Sequence, residues 1–321
     1  MPDPGPTSVS SAARALVERI LAFAGQQSDQ VEGLRGRLEN LLATEPDGAV
    51  RRLVQRLMTT GSEFAYYPPD LLARKIQHAV AEYALVDDSM LFGTENLAQV
   101  GDEAAVLLSN HLSYSDANLL EVLARKAGCA HIADRLTVVV GPKVYSEPFR
   151  RFSSLCFGTI KTPQSSARSS EEAVMTTRQV ARLARESIAI AVERERLGDA
   201  LLIFVEGTRS RNSRMQRALQ GVARYFEDPE RLLLPIGICG SERFVPVGVE
   251  HINPTCVTIH VGRAAKAGVL ASHCGSNRQL RIDAIGIAIA RLLPAEYRGV
   301  YADDSPEHAS ARAIADKVFG G

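Results

Sequence analysis

A histidine and an aspartate stand at the two ends of a short polar turn in residues 106–123, VLLSNHLSYSDANLLEVL. His111 and Asp116 are five positions apart, so on a continuous helix their side chains would point about 140° away from each other. The Ser-Tyr-Ser sequence at 113–115 permits a bend that brings them together, with Asp116 in the first turn of the following helix. Asp116 can then accept the imidazole Nδ1–H, which leaves Nε2 free to take a proton from a hydroxyl. The pair has the base and the orienting residue of a catalytic triad without the nucleophile, which a substrate alcohol would supply.

The same residues also have ordinary structural explanations. An aspartate in the first helical turn is favoured by the helix dipole, and Ser113 or Ser115 is of a type that commonly caps a helix. A lone histidine in a turn is commonly just solvated. The turn alone therefore does not specify a function, and a second motif is needed.

A second turn of the same strand-turn-helix design lies in residues 200–219, ALLIFVEGTRSRNSRMQRAL. Its glycine allows a tight bend and the close approach of a ligand, and its hydroxyl groups would lie near free backbone N–H groups at a helix start. Its two arginines present planar cationic forks that suit a phosphate. A capped helix with a solvated basic face is the alternative interpretation. The predicted phosphate site consists of Glu206, Gly207, Thr208, Arg209, Ser210 and Arg211.

After about residue 100 the sequence alternates between short β-rich runs and helical segments, which is typical of an α/β protein. We predict a mixed central sheet flanked by helices. Both motifs follow apolar, strand-like runs, so their turns are expected at one edge of the sheet, where ligand sites of α/β proteins form. The predicted strands span 104–110, 136–141, 156–161, 200–206, 232–238, 244–250 and 255–261, and the clearest predicted helices span 116–128, 170–197, 213–227 and 278–293.

The first part of the chain has a different pattern. Between residues 10 and 84, apolar side chains recur every three or four positions, and valine and isoleucine are sparse, which indicates successive helices rather than strands. A chain of 321 residues is at the upper end of what one core organises. We therefore predict a small helical N-terminal domain at 1–95 and an α/β catalytic domain at 96–321.

Composition limits the classes of partner. The formal net charge is zero, so no overall field directs the protein to nucleic acid. The five cysteines are scattered and form no CxxC pair, which argues against a zinc or dithiol site and is typical of reduced thiols in a cytosol. The amino terminus lacks the basic start and cleavage site of a secretory signal, and no apolar run approaches the roughly 18 residues of a membrane span. We predict a cytoplasmic protein, with peripheral attachment to the inner face of the membrane, through the N-terminal helices or residues 305–321, as an open alternative.

The ordered pair of motifs resembles the glycerolipid acyltransferases, meaning the glycerol-3-phosphate and 1-acylglycerol-3-phosphate (lysophosphatidate) acyltransferases. The family's His-x4-Asp block is similar to residues 110–116, NHLSYSD, and its Glu-Gly-Thr-Arg-Ser block, about 95 residues later, is similar to residues 204–210, FVEGTRS. By this resemblance His111 is the general base and Asp116 its partner. The acceptor phosphate would bind at Glu206, Gly207, Thr208, Arg209 and Ser210.

A third block of the family, with a basic residue before a long helix, resembles residues 141–162, GPKVYSEPFRRFSSLCFGTIKT. The resemblance implies that Lys161 contacts the phosphate, although an exposed lysine at a strand end is a common structural feature. Lys143 is a candidate for the edge of the site. Arg150 and Arg151 are weaker candidates, because a helix face needs such charges for solubility.

A fourth block, a strand that contains a proline, resembles residues 233–238, LLPIGI. It implies that Pro235 shapes the edge of the acyl or acceptor site. The chain also departs from the family's pattern: many relatives carry proline where Val205 stands and arginine where Lys161 stands. These departures leave the chemistry intact and bear on the choice of acceptor.

The resemblance implies transfer of a fatty acyl group from an acyl-CoA or acyl-carrier-protein thioester to the hydroxyl of a phosphorylated glycerol. Glycerol 3-phosphate is the favoured acceptor, because the helical N-terminal region and the lack of a membrane span look more like the soluble glycerol-3-phosphate acyltransferases. A lysophosphatidate acyltransferase, an acyl-thioester hydrolase and a non-catalytic acyl-lipid binding module are the alternatives. The mechanism requires no metal and no bound cofactor, since the acyl thioester is a co-substrate.

Overall fold

A computed structural model describes residues 11–24, 28–101, 103–163, 175–246, 248–249, 251–302 and 306–320 of the chain. Within these ranges the α-helices are α1 Ser11–Leu21, α2 Ser28–Thr44, α3 Asp47–Thr59, α4 Leu71–Ala84, α5 Thr94–Val100, α6 Asp116–Lys126, α7 Ala130–Asp134, α8 Pro148–Ser154, α9 Thr177–Arg196, α10 Ala267–Cys274, α11 Arg278–Arg291 and α12 Ala309–Phe319. The strands are β1 Tyr66–Tyr67, β2 Met90–Phe92, β3 Ala105–Ser109, β4 Leu136–Val140, β5 Gly158–Lys161, β6 Ala200–Phe204, β7 Leu232–Cys239, β8 Thr258–Val261 and β9 Ala265–Lys266. Short 3-10 helices include Pro142–Val144, Gln220–Phe226 and Ser241–Arg243.

The described strands form one sheet in the order β1-β5-β4-β6-β3-β7-β8-β2, with β9 also beside β7. The five strands from β5 to β7 in this order run parallel. In contrast, β1 is antiparallel to β5, and both β8 and β9 are antiparallel to β7. The prediction of a mixed central sheet flanked by helices is confirmed. Because five neighbouring strands run in one direction, their carboxyl ends meet at the same edge of the sheet.

Both faces of the central strands are covered by helices. In β3, Ala105 and Leu107 belong to one buried apolar cluster, and Val106 and Leu108 belong to the other. Successive side chains of a strand point to opposite faces, so a strand that is apolar at every position is buried on both. The first cluster also contains side chains of α1, α2, α4 and α6, and the second contains side chains of α9, α11 and α12. These two layers of helices hold the sheet, and with it the edge that carries the site.

The N-terminal helices contribute to the same apolar cluster as one face of the sheet. Leu16 of α1, Leu38 of α2 and Ile76 of α4 are all buried in it. The expectation of helices alone between residues 10 and 84 is wrong for β1, which pairs with β5. Strand pairing here rests on backbone hydrogen bonds of two tyrosines, and so short a segment gives no periodic signal. The domain boundary after residue 95 stays a prediction.

The predicted helix at 213–227 is wrong. The chain is irregular here until the 3-10 helix Gln220–Phe226. The apolar spacing that indicated a helix reflects burial instead, because Met215 and Ala218 lie in the second apolar cluster. The backbone N–H groups donate to distant partners rather than to the preceding turn. These bonds run from Met215 to the Tyr297 carbonyl, from Gln216 to the Glu206 carboxylate, from Ala218 to the Tyr301 hydroxyl and from Leu219 to the Val205 carbonyl.

The predicted strand at 244–250 is also wrong in its described part. Phe244 donates its backbone N–H to the Ser241 carbonyl in a turn, and its side chain is buried in the first apolar cluster. The apolar run there marks burial rather than pairing with a neighbouring strand. Parts of other predicted segments lie outside the described residues: 1–10, 170–174, 247, 250, 305 and 321.

The longest helix, α9, has 20 residues and carries charged side chains along its length, for example Arg178, Arg182 and Glu186. No helix within the described ranges combines the length and the apolar character that crossing a membrane requires.

Candidate active site

Residues of both motifs lie at the carboxyl edge of the parallel strands. His111 follows β3, and Glu206 follows β6, which is the direct neighbour of β3 in the sheet. Lys143 follows β4, and Lys161 is the last residue of β5. Ser241, in a 3-10 helix after β7, lies at the same edge. The strand direction thus brings together segments that are distant along the chain, such as those of Asp116 and Ser241, which are 125 residues apart.

His111 and Asp116 contact each other directly. His111 Nδ1 lies 2.8 Å from Asp116 Oδ2. The Asp116 side chain is fully buried, whereas the His111 side chain keeps 13% of its exposure. Asp116 opens α6, and the residues between the two bend as a turn in which the Asp116 N–H donates to the Ser113 carbonyl. The bend predicted from the sequence is therefore present.

Asp116 accepts three further hydrogen bonds. The backbone N–H groups of Leu112 and Ser113 donate to Oδ2 over 2.7 and 3.0 Å. The hydroxyl of Ser241 donates to Oδ1 over 2.6 Å, and this residue is also buried. A carboxyl group that receives this many donors is held as the acceptor-only carboxylate, so the His111 nitrogen facing it carries the ring proton. Nε2 is then the basic nitrogen of the imidazole.

The imidazole ring has a fixed orientation. It stacks on the Phe204 ring, with centroids 4.1 Å apart and an angle of 18° between the planes. The Tyr114 ring meets it edge-on, with centroids 6.3 Å apart. With one face against Phe204 and Nδ1 on Asp116, the ring has little rotational freedom, which is what a general base needs.

Glu206 connects the two motifs rather than facing solvent. Its Oε1 accepts the His111 backbone N–H over 3.0 Å, and its Oε2 accepts the Gln216 backbone N–H over 2.8 Å. Burial raises the pKa of Glu206 to about 7, against the opposing effect of these two hydrogen bonds. In the next peptide unit, the His111 carbonyl accepts the Ser210 backbone N–H over 2.8 Å. The main chain of the base is therefore bound on both sides by the second motif.

The remainder of the second motif forms an irregular loop. Gly207 has φ +65°, a conformation that a residue with a side chain rarely adopts, so glycine is needed at this bend. The Ser210 hydroxyl is buried and lies 2.8 Å from the Arg214 carbonyl, so it supports the loop internally. Thr208 is half-buried and Arg211 is exposed. No described helix begins in this segment, so the expected helix-terminus phosphate site is replaced by a loop with arginine side chains.

Arg209 lies over the Tyr114 ring, with its guanidinium carbon 4.5 Å from the ring centroid. The guanidinium of Arg150, on α8, lies over the same ring at 4.2 Å. Burial lowers the pKa of Arg209, and the nearby Arg150 and Arg211 also lower it. Positive charge is therefore concentrated beside the base.

The other predicted phosphate contact has a different environment. Lys161 is buried, and its Nζ donates to the Gly61 carbonyl over 2.8 Å. The same ammonium group lies 4.7 Å from the centroid of the Phe64 ring. Lys143, half-buried after β4, accepts the Ser146 hydroxyl at its carbonyl over 3.0 Å.

Pro235 lies within β7, four residues before the strand ends, and is buried. On one side β7 pairs with β9 at Leu232 and Leu233 and with β8 from Ile236 onward, so Pro235 falls between these two pairings. Its carbonyl accepts the Gly262 N–H on that side. The lack of an N–H is tolerated at this gap in the ladder, which explains a proline inside a sheet.

The sequence interpretation missed three residues of the site. Ser241 completes the contacts of Asp116, Phe204 supports the imidazole, and Asn110 joins the ends of β3 and β7. The Asn110 side-chain amide exchanges two hydrogen bonds, of 2.9 and 2.8 Å, with the backbone of Ile238. Asn110 and Phe204 are the first residues of the two family blocks, 110–116 and 204–210, which is a usable signal. Ser241 gives none, because it is 125 residues from Asp116 along the chain.

An apolar cavity of about 190 Å³ lies among α1, α3, α4 and α8. Ile20, Leu57, Val80 and Phe149 are among the side chains that line it. Helix α8 thus contributes Phe149 to this cavity and, one residue later, Arg150 to the Tyr114 ring. The helix borders both features.

Comparison with known proteins shows similarity to a family model and to solved structures. Residues 91–239 match the family model described as Acyltransferase, and this segment contains both motifs. Among solved structures, the chain is similar to that of the 1-acyl-sn-glycerophosphate (LPA) acyltransferase PlsC from Thermotoga maritima, with 17% sequence identity and a TM-score of 0.44. That similarity covers 68% of this chain and 76% of the Thermotoga chain. No curated protein sequence matches.

Proposed function

We propose that this protein, in which residues 91–239 match the acyltransferase family model, transfers a fatty acyl group from an acyl thioester to the hydroxyl of a phosphorylated glycerol, with glycerol 3-phosphate as the first candidate acceptor. The observation that carries the proposal is the 2.8 Å contact between His111 Nδ1 and the buried Asp116 carboxylate. A half-buried cation, Arg209, lies beside it. A base with a fixed orientation next to an anion site suits an acceptor that bears both a hydroxyl and a phosphate.

In the proposed reaction His111 Nε2 takes the proton of the acceptor hydroxyl while the oxygen attacks the thioester carbonyl. Asp116 stabilises the imidazolium that forms, because its carboxylate lies against the ring N–H. Collapse of the tetrahedral intermediate breaks the carbon–sulfur bond, and the imidazolium returns its proton to the departing thiolate. No acyl-enzyme forms, since the acceptor itself is the nucleophile.

The acceptor phosphate is assigned to the Arg209 side of the pocket, with Arg211 at its exposed rim. A dianionic phosphate near a half-buried guanidinium forms charge-assisted hydrogen bonds that are stronger than those between neutral groups. Holding the acceptor there orients its hydroxyl toward Nε2, and such positioning lowers the activation barrier by several kcal/mol.

The test is release of free thiol from long-chain acyl donors, both acyl-CoA and acyl-carrier protein. Each donor is assayed with glycerol 3-phosphate, with lysophosphatidate and without acceptor, and the lipid product is identified. We expect acceptor-dependent thiol release and an ester product. Replacing His111 by Ala should lower the rate about 10²- to 10⁴-fold, the usual contribution of a general base.

His273→Ala is the matched control, because this histidine is exposed on α10 and should be dispensable. Free fatty acid formed at the same rate without any acceptor would show a hydrolase instead. A His111→Ala enzyme with the wild-type rate would contradict the proposed mechanism.

A further inference from the structure

Arg150 and Arg209 lie over the same aromatic ring, that of Tyr114. Arg150 is in the middle of α8, Pro148–Ser154, and its guanidinium carbon is 4.2 Å from the centroid of the Tyr114 ring. Arg209, from the loop after β6, approaches the same ring at 4.5 Å. The separation of the two guanidinium carbons therefore cannot exceed 8.7 Å, the total of these two distances. Two segments distant in sequence thus bring like charges together.

These two guanidinium groups share the lack of a carboxylate in direct contact within the described part of the chain. Across the described ranges, Arg150 and Arg209 form no ion pair with an aspartate or glutamate, although many other arginines do. Within the described residues, the hydrogen bond that Arg150 makes is a long one, 3.4 Å, to the Lys143 carbonyl. Partial burial and the charge of Arg150 lower the pKa of Arg209, against the opposing effects of Tyr114 and the Asp116 carboxylate. Such a pair is stabilised when an anion binds between its members.

Lys161, the cation nominated by the family resemblance, is engaged elsewhere. Its Nζ donates to the Gly61 carbonyl and lies beside the Phe64 and Tyr145 rings. These contacts fasten the end of β5 to the segment before β1. The ammonium group has a structural use that Arg150 lacks.

We propose that Arg150 binds the phosphate of the acceptor together with Arg209, and that the Tyr114 ring holds both guanidinium groups beside His111. This inference rests on the proposed function and adds a residue that determines acceptor specificity. Two planar forks favour a dianionic phosphate monoester over an acceptor whose phosphate is a diester or is absent.

The kinetic test compares the wild-type enzyme with Arg150→Gln in acyl transfer to glycerol 3-phosphate. We expect the KM for the phosphorylated acceptor to rise about 10- to 100-fold, the range for loss of a charge-assisted contact. The KM for the acyl donor should stay within about two-fold. Lys126→Gln, which removes one exposed positive charge at the far end of α6, is the matched control and should leave both constants unchanged.

Two further variants distinguish a binding role from a packing role. Arg150→Lys keeps the charge without the fork and should give an intermediate KM. Tyr114→Phe keeps the ring under both cations and should bind acceptor normally, whereas Tyr114→Leu should raise the KM as Arg150→Gln does. These variants carry the test if Arg150→Gln fails to fold, which circular dichroism reports.

Binding of inorganic phosphate, followed by ³¹P NMR, tests the site without the reaction. We expect Arg150→Gln to weaken this binding about ten-fold or more, and glycerol 3-phosphate to displace the phosphate. Unchanged phosphate binding and an unchanged acceptor KM in Arg150→Gln would overturn this inference while leaving the proposed function intact. Loss of phosphate binding in a protein that transfers no acyl group would support the anion site and contradict the proposed function.

Discussion

Asp116 accepts hydrogen bonds from one imidazole, two backbone N–H groups and one hydroxyl. The five-residue spacing across a polar turn leaves both a paired and an ordinary structural use open for His111 and Asp116, and the structure shows the pair. The sequence does not reveal the hydroxyl donor, Ser241, which reaches Asp116 only through the pairing of β3 with β7. At the scale of residues, motifs identify groups that are close in sequence, and folding supplies the others.

We predict that Ser241→Ala lowers kcat about ten-fold and leaves both KM values unchanged. Loss of the 2.6 Å bond frees Asp116 Oδ1 and loosens the carboxylate that orients His111. The free energy of unfolding should fall by about 1 to 3 kcal/mol, because the variant leaves a buried acceptor unsatisfied. Steady-state kinetics and urea unfolding measure the two effects.

Thr137→Val is the control for that experiment. Thr137 donates to Asp199 over the same distance, 2.6 Å, and is buried near the amino end of β4, at the opposite edge of the sheet. Thr137→Val should lower the free energy of unfolding about as much as Ser241→Ala does, without lowering kcat. Equal losses of kcat in the two variants would mean that Ser241 acts only through global stability.

At the scale of elements, the sequence predicts the parallel core and fails where tertiary contacts replace local ones. The strands β3, β4, β6 and β7 are apolar runs bounded by turns, and each is found within a few residues of its prediction. The segment at 213–227 has helical spacing, but its N–H groups bond to Glu206, to Tyr301 and to distant carbonyls. Helical periodicity reports which side chains are buried, and several backbone conformations can bury the same set.

Glu206 joins the β3 turn to this irregular segment, and its ionisation should make stability depend on pH. Its pKa is about 7 when folded, raised by burial from an ordinary value of 4.5. Between these two values the folded state therefore binds more protons than the unfolded state. The contribution of Glu206 to the free energy of unfolding is fully present below about pH 4.5 and is lost as pH rises through 7. The raised pKa corresponds to a change of roughly 3 kcal/mol in the free energy of unfolding.

We predict that Glu206→Gln removes this dependence. Relative to wild type, the variant's free energy of unfolding should improve by roughly 3 kcal/mol between pH 4.5 and pH 8, measured by urea denaturation. Its kcat should fall about ten-fold, because an amide cannot accept both backbone N–H groups that hold His111 and Gln216.

Glu195→Gln is the matched variant for that experiment. Burial also raises the pKa of Glu195 to about 7, yet it lies on α9 and pairs with Arg231. Glu195→Gln should reduce the pH dependence of the free energy of unfolding without changing kcat. Parallel stability curves for wild type and Glu206→Gln would contradict the assignment.

At the scale of the whole molecule, the N-terminal helices and one face of the sheet share one continuous apolar cluster. The sequence distinguishes the helical part from the α/β part by composition, but composition does not reveal whether their cores merge. That property depends on which helix faces meet the sheet. Whether the two cores merge decides whether the helical part and the α/β part unfold separately.

We predict a single unfolding transition in which the helices and the site are lost together. Leu38→Ala on α2 removes a fully buried side chain and should lower the free energy of unfolding by about 2 to 5 kcal/mol. Loss of acyl transfer and loss of helical circular dichroism should shift together to lower urea concentration. An enzyme that keeps its activity after the α2 signal has melted would instead show two independent domains.

The backbone of residue His111 is bound by the second motif at both its N–H, which donates to Glu206, and its carbonyl, which accepts the Ser210 N–H. This has a consequence for recombination with proteins that match the same family model. A chimera whose crossover falls between the two motifs takes the base from one parent and its backbone supports from the other. Exchange of both loops as a pair preserves the contacts, although His111 and Glu206 are 95 positions apart along the chain.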